Sequence, residues 1–213
     1  TPKRQAMAAT LKAYPWPEGM DIPNLMPNQA QPWQGDWHLA KEVLRLKEAH
    51  GLKTALETGT CLGSTAMWLA EHFEHVRTCD IHEGYLAIAR ARMCDISNVE
   101  THWERSTVIV GLAPVADLYW LDAHWGEHCP LLEELSQIAE QHARPVILIH
   151  DFQVPGTDFG FDKMPDGRPF NLELVKPYLD RIYGAGLWDH NYPTEVAGAR
   201  RGWVSIEPWP QPH

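Results

Sequence analysis

Acidic and histidine side chains recur in this chain directly after short apolar runs, where buried strands are expected to end. They are Glu57, Asp80, Asp122, His150 and Asp151. Carboxylates and imidazoles bind cations, accept protons and hydrogen-bond the hydroxyl groups of ligands. In a sheet of parallel strands the carboxyl ends share one edge, so we expect these groups to meet although almost a hundred residues separate the first from the last.

The first of these groups opens a glycine-containing turn, Glu57-Thr58-Gly59-Thr60-Cys61-Leu62-Gly63-Ser64. An apolar run precedes the turn and a segment with helical spacing follows it, which indicates a strand, a tight turn and a helix. The glycines are spaced G-x-x-x-G, and Cys61 stands where a dinucleotide fingerprint would have another glycine. Glu57 suits a cationic amino group better than a phosphate. A plain strand–helix turn without a ligand is the alternative.

The second group, Asp80, lies 21 residues after Gly59 at the end of the next apolar run. An acid at this place commonly accepts hydrogen bonds from ribose hydroxyls. It can equally cap the helix that follows, and both roles are compatible. Glu57, Gly59 and Asp80 together describe a site for an adenosine-bearing ligand with a positively charged amino-acid end.

The elements that must position these groups alternate between strand and helix. Strands are predicted at 53–57, 76–80, 99–103, 117–121 and 146–149, with a final pair near 187–191 and 202–206. Helices are predicted at about 37–47, 64–74, 84–93, 130–142 and 172–182. This alternation predicts a doubly wound α/β fold whose seven-stranded sheet is mostly parallel, with an antiparallel terminal hairpin and helices on both faces.

The rest of the sequence indicates the domain organisation, the classes of partner that are disfavoured and the cellular compartment. A proline-rich arm is predicted at 1–35, followed by one domain at 36–213. The net charge of −10 disfavours nucleic acid as a partner, and no apolar run suits a membrane span or a secretion signal. Four cysteines without a C-x-x-C pair fit a reducing compartment, the cytoplasm. A homo-oligomer is compatible with the sequence.

These motifs resemble those of class I S-adenosylmethionine (SAM)-dependent methyltransferases, over roughly 36–207. The turn at 57–64 resembles their first motif, and Asp80 resembles their ribose-binding acid. Segments 116–125 and 146–156 resemble the fourth and fifth strands of small-molecule O-methyltransferases of the catechol and sugar- or macrolide-modifying branches. The resemblance implies a Rossmann-like fold and a cofactor site, whose residues are Glu57, Gly59, Thr60, Gly63, Ser64, Asp80, Ile81 and Ser106. Ser106 can equally be a helix cap.

The resemblance also implies a catalytic and metal-binding end. In the metal-dependent branch, acids after strands four and five hold a divalent cation, which places Asp122, His150 and Asp151 as metal ligands. Mg²⁺ is the candidate ion, although an imidazole shifts the preference towards transition metals. A site without metal is equally open. The lysine base of the catechol branch is replaced by Gly126.

Three histidines are available to replace that base, namely His124, His128 and His150, and His124 is the first choice. With Asp122 and His150 it forms the predicted catalytic set. We therefore expect methyl transfer to an oxygen of a small molecule or sugar, with the loop 151–169 closing over the acceptor. Phe152, Phe159, Phe161 and Arg168 are expected to line it. A non-catalytic binding domain and a nicotinamide-dependent oxidoreductase are the alternatives.

Overall fold

The chain was analysed as a computed structural model, which describes residues 30–124 and 128–209. Seven strands form one sheet: β1 Thr54–Thr58, β2 His75–Asp80, β3 Val99–Trp103, β4 Leu118–Leu121, β5 Val146–His150, β6 Trp188–Asn191 and β7 Trp203–Pro208. Six α-helices connect them: α1 Trp37–His50, α2 Ser64–His72, α3 Glu83–Arg92, α4 Ser106–Leu112, α5 Leu131–Glu140 and α6 Leu172–Tyr183. A short 3-10 helix, Pro32–Gly35, precedes α1.

The strand order in the sheet is β3-β2-β1-β4-β5-β7-β6. The first five strands are parallel, and β7 pairs antiparallel with both β5 and β6. The predicted mostly parallel sheet with an antiparallel terminal pair is confirmed. Between β1 and β4 the strand order reverses. The segments that follow these two neighbouring strands therefore run to opposite sides of the sheet, and a crevice forms between them at the carboxyl ends of β1 and β4.

Alternate side chains of the central strands bury on opposite faces of the sheet. On β4, Leu118 and Trp120 pack on the face covered by α1 and α2, whereas Tyr119 and Leu121 pack on the face covered by α5 and α6. The unbroken apolar run of β5 is wholly buried. Helices therefore cover both faces, as predicted, because such strands have no face to offer to water.

Local signals set the limits of several elements. Asp36 caps α1, its carboxylate accepting from the backbone N–H of His38 at 3.0 Å, and Gly51 ends the helix in a left-handed conformation. The other predicted elements are present with ends shifted by a few residues. No helix of the described residues is long and apolar enough to cross a membrane.

One helix was not among those predicted. Helix α4 runs through Thr107-Val108-Ile109-Val110 and contains Gly111, all residues of modest or poor helix propensity. Val110 is fully buried in the core beside α5, and Gly111 lies against the side chain of Gln137. Tertiary packing thus outweighs local propensity in this segment.

The predicted proline-rich arm is described only from residue 30 onwards. Its Trp33 is buried, with its ring edge-on to Trp68 at 5.2 Å and to Trp120 at 5.0 Å between centroids. The backbone N–H of Trp33 donates to the hydroxyl of Thr65 at 3.0 Å. The end of the arm therefore packs across the domain, while the predictions for 1–29 lie outside the described residues.

Candidate functional site

A cavity of about 480 Å³ opens at the carboxyl ends of β1 and β4, where the strand order reverses. This volume is typical of small-molecule sites. Most of the predicted site residues line it: Glu57, Gly59, Thr60, Ser64, Asp80, Ile81, Ser106, Asp122, His124 and Asp151. The strand topology thus brings together groups that are far apart in sequence.

Two predicted residues stand behind the cavity wall. Gly63 adopts φ +74° at the start of α2, and a Cβ there would meet Ala89 of α3 at 3.0 Å, so this glycine permits close packing of two helices. His150 is buried at 2% exposure and contacts Asp122. Neither lies among the residues lining the cavity.

The turn after β1 is held by its neighbours on both sides. The backbone N–H groups of Gly59 and Thr60 donate to the carbonyl of Cys79 at 2.9 and 3.0 Å. Gly59 has φ +85°, and a Cβ at this position would lie 2.5 Å from the carbonyl oxygen of Asp122. A glycine is required here because the backbone of the turn packs directly against the residue that follows β4, with no space for a side chain.

Glu57 is the most buried acid of the turn, at 1% exposure. Its Oε2 accepts a hydrogen bond from the hydroxyl of Thr78 at 2.5 Å, and the Thr78 hydroxyl also contacts that of Thr60 at 2.6 Å. Burial raises the pKa of Glu57 well above its ordinary value, and the charges of Asp122 and Asp80 add to the effect, while the Thr78 bond opposes it. A cationic group bound nearby would offset this cost and favour the charged carboxylate.

Asp80 is positioned by two backbone groups. Its Oδ2 accepts from the N–H of Cys61 at 2.8 Å and its Oδ1 accepts from the N–H of His82 at 2.7 Å. Burial raises its pKa despite these bonds. Each carboxylate oxygen keeps a further lone pair, so Asp80 can bind a pair of ligand hydroxyls while it orders the start of α3.

An unpartnered polar atom also lies at this end of the cavity. The hydroxyl of Tyr85 is buried and has no hydrogen-bond partner among the described residues, yet the side chain lines the cavity. A buried hydroxyl without a partner is costly, and a polar ligand atom would satisfy it. With the acceptor carboxylates of Glu57 and Asp80, this hydroxyl forms a set of polar groups that fits an adenosyl ligand with an amino-acid end.

The opposite end of the cavity contains a compact cluster of Asp122, His124, His150 and Asp151. Nε2 of His124 lies 2.7 Å from Oδ2 of Asp151 and 3.8 Å from Oδ1 of Asp122. Nδ1 of His150 lies 3.0 Å from Oδ1 of Asp122 and 3.4 Å from Oδ2 of Asp151. Asp122 and His124 follow β4, His150 is the last residue of β5 and Asp151 follows it. The two strands are neighbours in the sheet, which brings these side chains together.

The carboxylates of this cluster favour the charged form of the two imidazoles. Burial alone would lower the pKa of both histidines, but the hydrogen bond that His124 donates to Asp151 and the charges of Asp122 and Asp151 raise that of His124. The charges of Asp151 and Asp122 raise that of His150 well above its ordinary value. Burial would raise the pKa of Asp151, but the charge of His150 and the hydrogen bond from His124 outweigh it and lower that pKa strongly. The two carboxylates of the cluster thus stabilise positive charge on the groups between them.

Asp151 has a special backbone as well as special neighbours. It is a non-glycine residue with φ +54°, directly after β5. Its carbonyl accepts from the N–H of Asp162 at 2.8 Å, and the following residue, Phe152, donates to the carbonyl of Gly202 at 2.9 Å. Unfavourable backbone conformations of this kind persist where the surroundings enforce them, often at functional sites.

Two cluster residues were missed by the sequence analysis, Arg201 and Asp162. The guanidinium of Arg201 donates from Nε to Oδ1 of Asp151 and from Nη2 to Oδ1 of Asp162, in two very short contacts. Asp162 also approaches Nε2 of His124 at 3.5 Å. No local signal marks Arg201, because only the antiparallel pairing of β7 with β5 brings the chain before Trp203 beside His150.

The expected acceptor loop, 151–169, differs from the prediction. Phe152 is fully buried in the core, and Arg168 pairs with Asp166 at 2.7 Å away from the cavity. Neither they nor Phe159 and Phe161 line the cavity, so the predicted aromatic wall is wrong. The fold places Phe152 on the core side because its N–H donates to the carbonyl of Gly202, the residue directly before β7.

The same loop is fastened at its middle to the segment before β7. The N–H of Gly160 donates to the carbonyl of Arg200 at 3.0 Å, and that of Gly202 donates to the carbonyl of Gly160 at 2.8 Å. The end of the cavity beside the Asp122–Asp151 cluster is instead lined by charged and polar groups, namely Asp122, His124, His128, Asp151, Asp162 and Arg201.

Below the cavity, Glu134 of α5 is buried at 1% exposure. Its burial raises its pKa to about 7, although the side chains of Ser106 and Thr58 hydrogen-bond to it. Ser106 is the first residue of α4 and lines the cavity, and its hydroxyl is engaged with this acid. Ser106 therefore joins the site to α5.

Comparisons with known proteins agree with this fold. No protein-family model and no curated sequence matches the chain. Among solved structures, the N-methyltransferase NodS from Bradyrhizobium japonicum WM9 with S-adenosyl-L-homocysteine (SAH) is similar at TM-score 0.56 and 14% identity, over 98% of this chain and 99% of that one.

Two further structures show the same likeness. The N-terminal domain of EvdMO1, in the presence of SAH and D-fucose, has TM-score 0.58 and 14% identity, over 99% of this chain and 98% of that one. The O-methyltransferase TomG from Streptomyces achromogenes, in complex with SAM, has TM-score 0.57 and 16% identity, over 99% and 91%. The chain therefore has the Rossmann-like fold of class I SAM-dependent methyltransferases.

Proposed function

We propose that this protein transfers the methyl group of SAM to an oxygen of a small-molecule or sugar acceptor. The observation that carries the proposal is the continuous cavity at the β1–β4 crevice, with buried acids and Tyr85 at one end and an ionisable cluster at the other. Methyltransferases that share the fold, including TomG, are described with SAM or SAH bound.

At the cofactor end, SAM would supply an activated methyl group as a sulfonium. Glu57 would attract the amino group of its methionine part, and Asp80 would accept hydrogen bonds from its ribose. Gly59, Thr60, Gly63, Ser64 and Ile81 complete this end, in the turn and beside the two acids, and Ser106 is proposed to contact the adenine. Gly63 would contribute by letting α2 start close to α3.

At the acceptor end, the residues orient the hydroxyl and remove its proton. Methyl transfer breaks the sulfur–carbon bond and forms the oxygen–carbon bond, so the chain needs only to align the two reactants and accept one proton. Asp122, His124 and His150 are the proposed catalytic set, with His124 as first candidate for the proton acceptor. His128, which lines the same cavity, is another candidate.

A divalent cation fits this end of the site. Asp122, His150 and Asp151 offer one ligand atom each within 4.8 Å of one another, as do His124, Asp151 and Asp162. Asp122, His150 and Asp151 are the proposed ligands, with Mg²⁺ as the candidate ion. Such an ion would lower the pKa of an acceptor hydroxyl.

The setting of the protein is part of the proposal. Its net charge of −10 supports a small-molecule acceptor rather than nucleic acid, and its cysteines, all unpaired, support a reducing compartment such as the cytoplasm. We further propose an arm at 1–35, a methyltransferase domain at 36–213, and assembly as a homo-oligomer.

Isothermal titration of the purified protein with SAH tests the cofactor half. We expect one SAH per chain, and an NADH titration run beside it should show no binding. SAH formation from SAM with sugars and phenols as acceptors then tests turnover. Binding without turnover on any acceptor would favour the non-catalytic alternative, and absence of SAH binding by the folded protein would contradict the proposal.

A further inference from the structure

We infer that Gln34 is a specificity-determining residue of the proposed methyl transfer. Its side-chain amide hydrogen-bonds a hydroxyl group of the acceptor, and the acceptor is a saturated, hydroxyl-rich molecule of the sugar type rather than a phenol. The inference rests on the proposed function and deepens it, because it names a recognition residue and chooses between two classes of acceptor. Its test compares acceptors and Gln34 variants, whereas SAH binding tests the proposed function separately.

Gln34 lies in a turn with an unfavourable backbone conformation. The φ angles of Trp33, Gln34 and Gly35 are 55°, 52° and 85°, so three consecutive residues are left-handed and only the last is a glycine. Residues other than glycine rarely adopt this conformation. Where they do, the surrounding structure enforces it, and such positions are common at ligand-binding sites.

The turn is fixed to the domain at both ends. Before Gln34, the side chain of Trp33 lies in the core at 2% exposure, and its backbone N–H donates to the Thr65 hydroxyl. After the turn, Oδ2 of Asp36 accepts a buried hydrogen bond from the indole N–H of Trp203 at 3.1 Å. The position of Gln34 is therefore determined by the folded domain.

A second segment, 197–201, packs against the turn and connects it with the cluster around Asp151. The backbone N–H of Ala199 donates to the carbonyl of Gln34 at 3.3 Å, and a Cβ on Gly198 would overlap the backbone of Gln34. Arg201, two residues after Ala199, donates to the carboxylate of Asp151. The turn thus lies beside the end of the cavity at which the acceptor is proposed to bind.

The side chain of Gln34 is available to a ligand. Gln34 is half-buried and lines the cavity, and its amide makes no hydrogen bond with any of the described residues. An amide donates through its nitrogen and accepts through its oxygen, and a hydroxyl group also does both. A hydroxyl of a bound acceptor would therefore satisfy this amide without requiring any charge on the acceptor.

The other side chains at this end of the cavity also suit hydroxyl groups. They are ionisable, namely Asp122, His124, His128, Asp151, Asp162 and Arg201. Hydroxyls can donate to the carboxylates and accept from the guanidinium, whereas the apolar face of a phenol ring would take these groups from water without giving them partners, which costs free energy. The lining therefore favours an acceptor of the sugar type.

Acceptor preference is the first test. SAH formation from SAM is measured with monosaccharides and their methyl glycosides, and with catechol and caffeic acid as phenols. We expect kcat/KM for at least one sugar to exceed that for either phenol by at least about 10-fold. A higher kcat/KM for a phenol would overturn this inference and leave methyl transfer itself intact, whereas absence of SAH binding would contradict the proposed function as well.

Two variants of Gln34 test its role. Gln34→Leu keeps about the same side-chain size and removes the hydrogen bonds, whereas Gln34→Ala removes both. With the best sugar, each should raise KM by about 3–10-fold, as for one neutral hydrogen bond, and leave SAH affinity unchanged. One mono-deoxy analogue of that sugar should show a similar rise with the original protein and no further rise with the variants, because both changes delete the same hydrogen bond.

Gln137→Ala is the matched control, because Gln137 is a half-buried glutamine of α5 that is not part of the cavity lining. It should leave both KM and SAH affinity unchanged. An unchanged KM in the Gln34 variants, a rise in Gln34→Ala that is absent in Gln34→Leu, a loss of SAH affinity in place of the rise in KM, or additive losses for every deoxy analogue would each overturn the inference.

Discussion

At the scale of single residues, the burial of Glu57 disfavours the charged form of its carboxyl group. Its carboxyl is buried, so its pKa in the folded chain lies above the unfolded value. The folded state then holds the proton to higher pH than the unfolded state. Its contribution to stability is fully present below the unfolded pKa and is lost as pH rises towards the folded pKa.

Glu57→Gln is therefore expected to separate stability from binding. The neutral amide should make the ligand-free protein at least as stable as the original at neutral pH and reduce the fall in stability between pH 5 and 8. SAH affinity should drop by about 10–100-fold, as for loss of one charge-assisted hydrogen bond of about 1.5–3 kcal/mol. Urea unfolding at both pH values and calorimetry with SAH measure the two effects.

The control is Glu71→Gln, an exposed acid in the last turns of α2, which should change neither quantity. If Glu57→Gln kept the original SAH affinity, the proposed contact with the amino group of the cofactor would be wrong. If it lowered stability at neutral pH, the carboxylate would already be charged and partnered in the ligand-free protein.

At the scale of elements, the site depends on how closely the turn after β1 approaches the end of β4. Gly59 makes this approach possible, because a Cβ there would lie 2.5 Å from the Asp122 carbonyl oxygen. In the proposed function the turn belongs to the cofactor end of the cavity and Asp122 to the acceptor end. If both reactants bind as proposed, the close approach at Gly59 sets the distance between them.

Gly59→Ala is expected to destabilise the fold by about 1–3 kcal/mol through overpacking, in addition to about 1–2 kcal/mol for a side chain at positive φ. SAH binding should weaken because the turn must move. Gly156→Ala is the matched control, since Gly156 also has positive φ, +75°, but nothing lies within 4 Å of its added Cβ. Equal losses of unfolding free energy in the two variants would show that the close approach does not matter.

At the scale of the whole molecule, Trp33, which lies before the predicted boundary at residue 36, packs into the core of the domain. Trp33 lies in the core beside α2 and β4, and Gln31 and Gln34 line the cavity. Trp33 and Gln34 both adopt positive φ, 55° and 52°. The predicted boundary at residue 36 can therefore be tested by what this segment contributes to stability.

Trp33→Ala is expected to cost about 3–5 kcal/mol of unfolding free energy, the range for a buried tryptophan. Trp37→Ala is the control, because its side chain is 51% exposed, and its cost should be within about 1 kcal/mol. Denaturant unfolding of both variants makes the comparison. A similar small effect in both would support a domain that begins at residue 36 and needs no arm.

The sequence by itself determined the strands, most of the helices and the places where polar groups follow apolar runs. These signals are local. Asp36 and Gly51 delimit α1, the run at 146–149 requires burial on both faces, and the glycine spacing after Glu57 disfavours a dinucleotide site. Since parallel strands end at one edge, even the meeting of Asp122, His150 and Asp151 could be predicted.

Only the tertiary structure decided what surrounds those groups. Arg201 reaches Asp151 through the antiparallel pairing of β7 with β5, and Asp162 reaches it through a loop that no periodicity describes. Phe152 was expected at the acceptor and lies in the core, because its backbone N–H donates to the carbonyl of Gly202 just before β7. Contacts between distant segments depend on how whole elements pack, and local spacing carries no record of that packing.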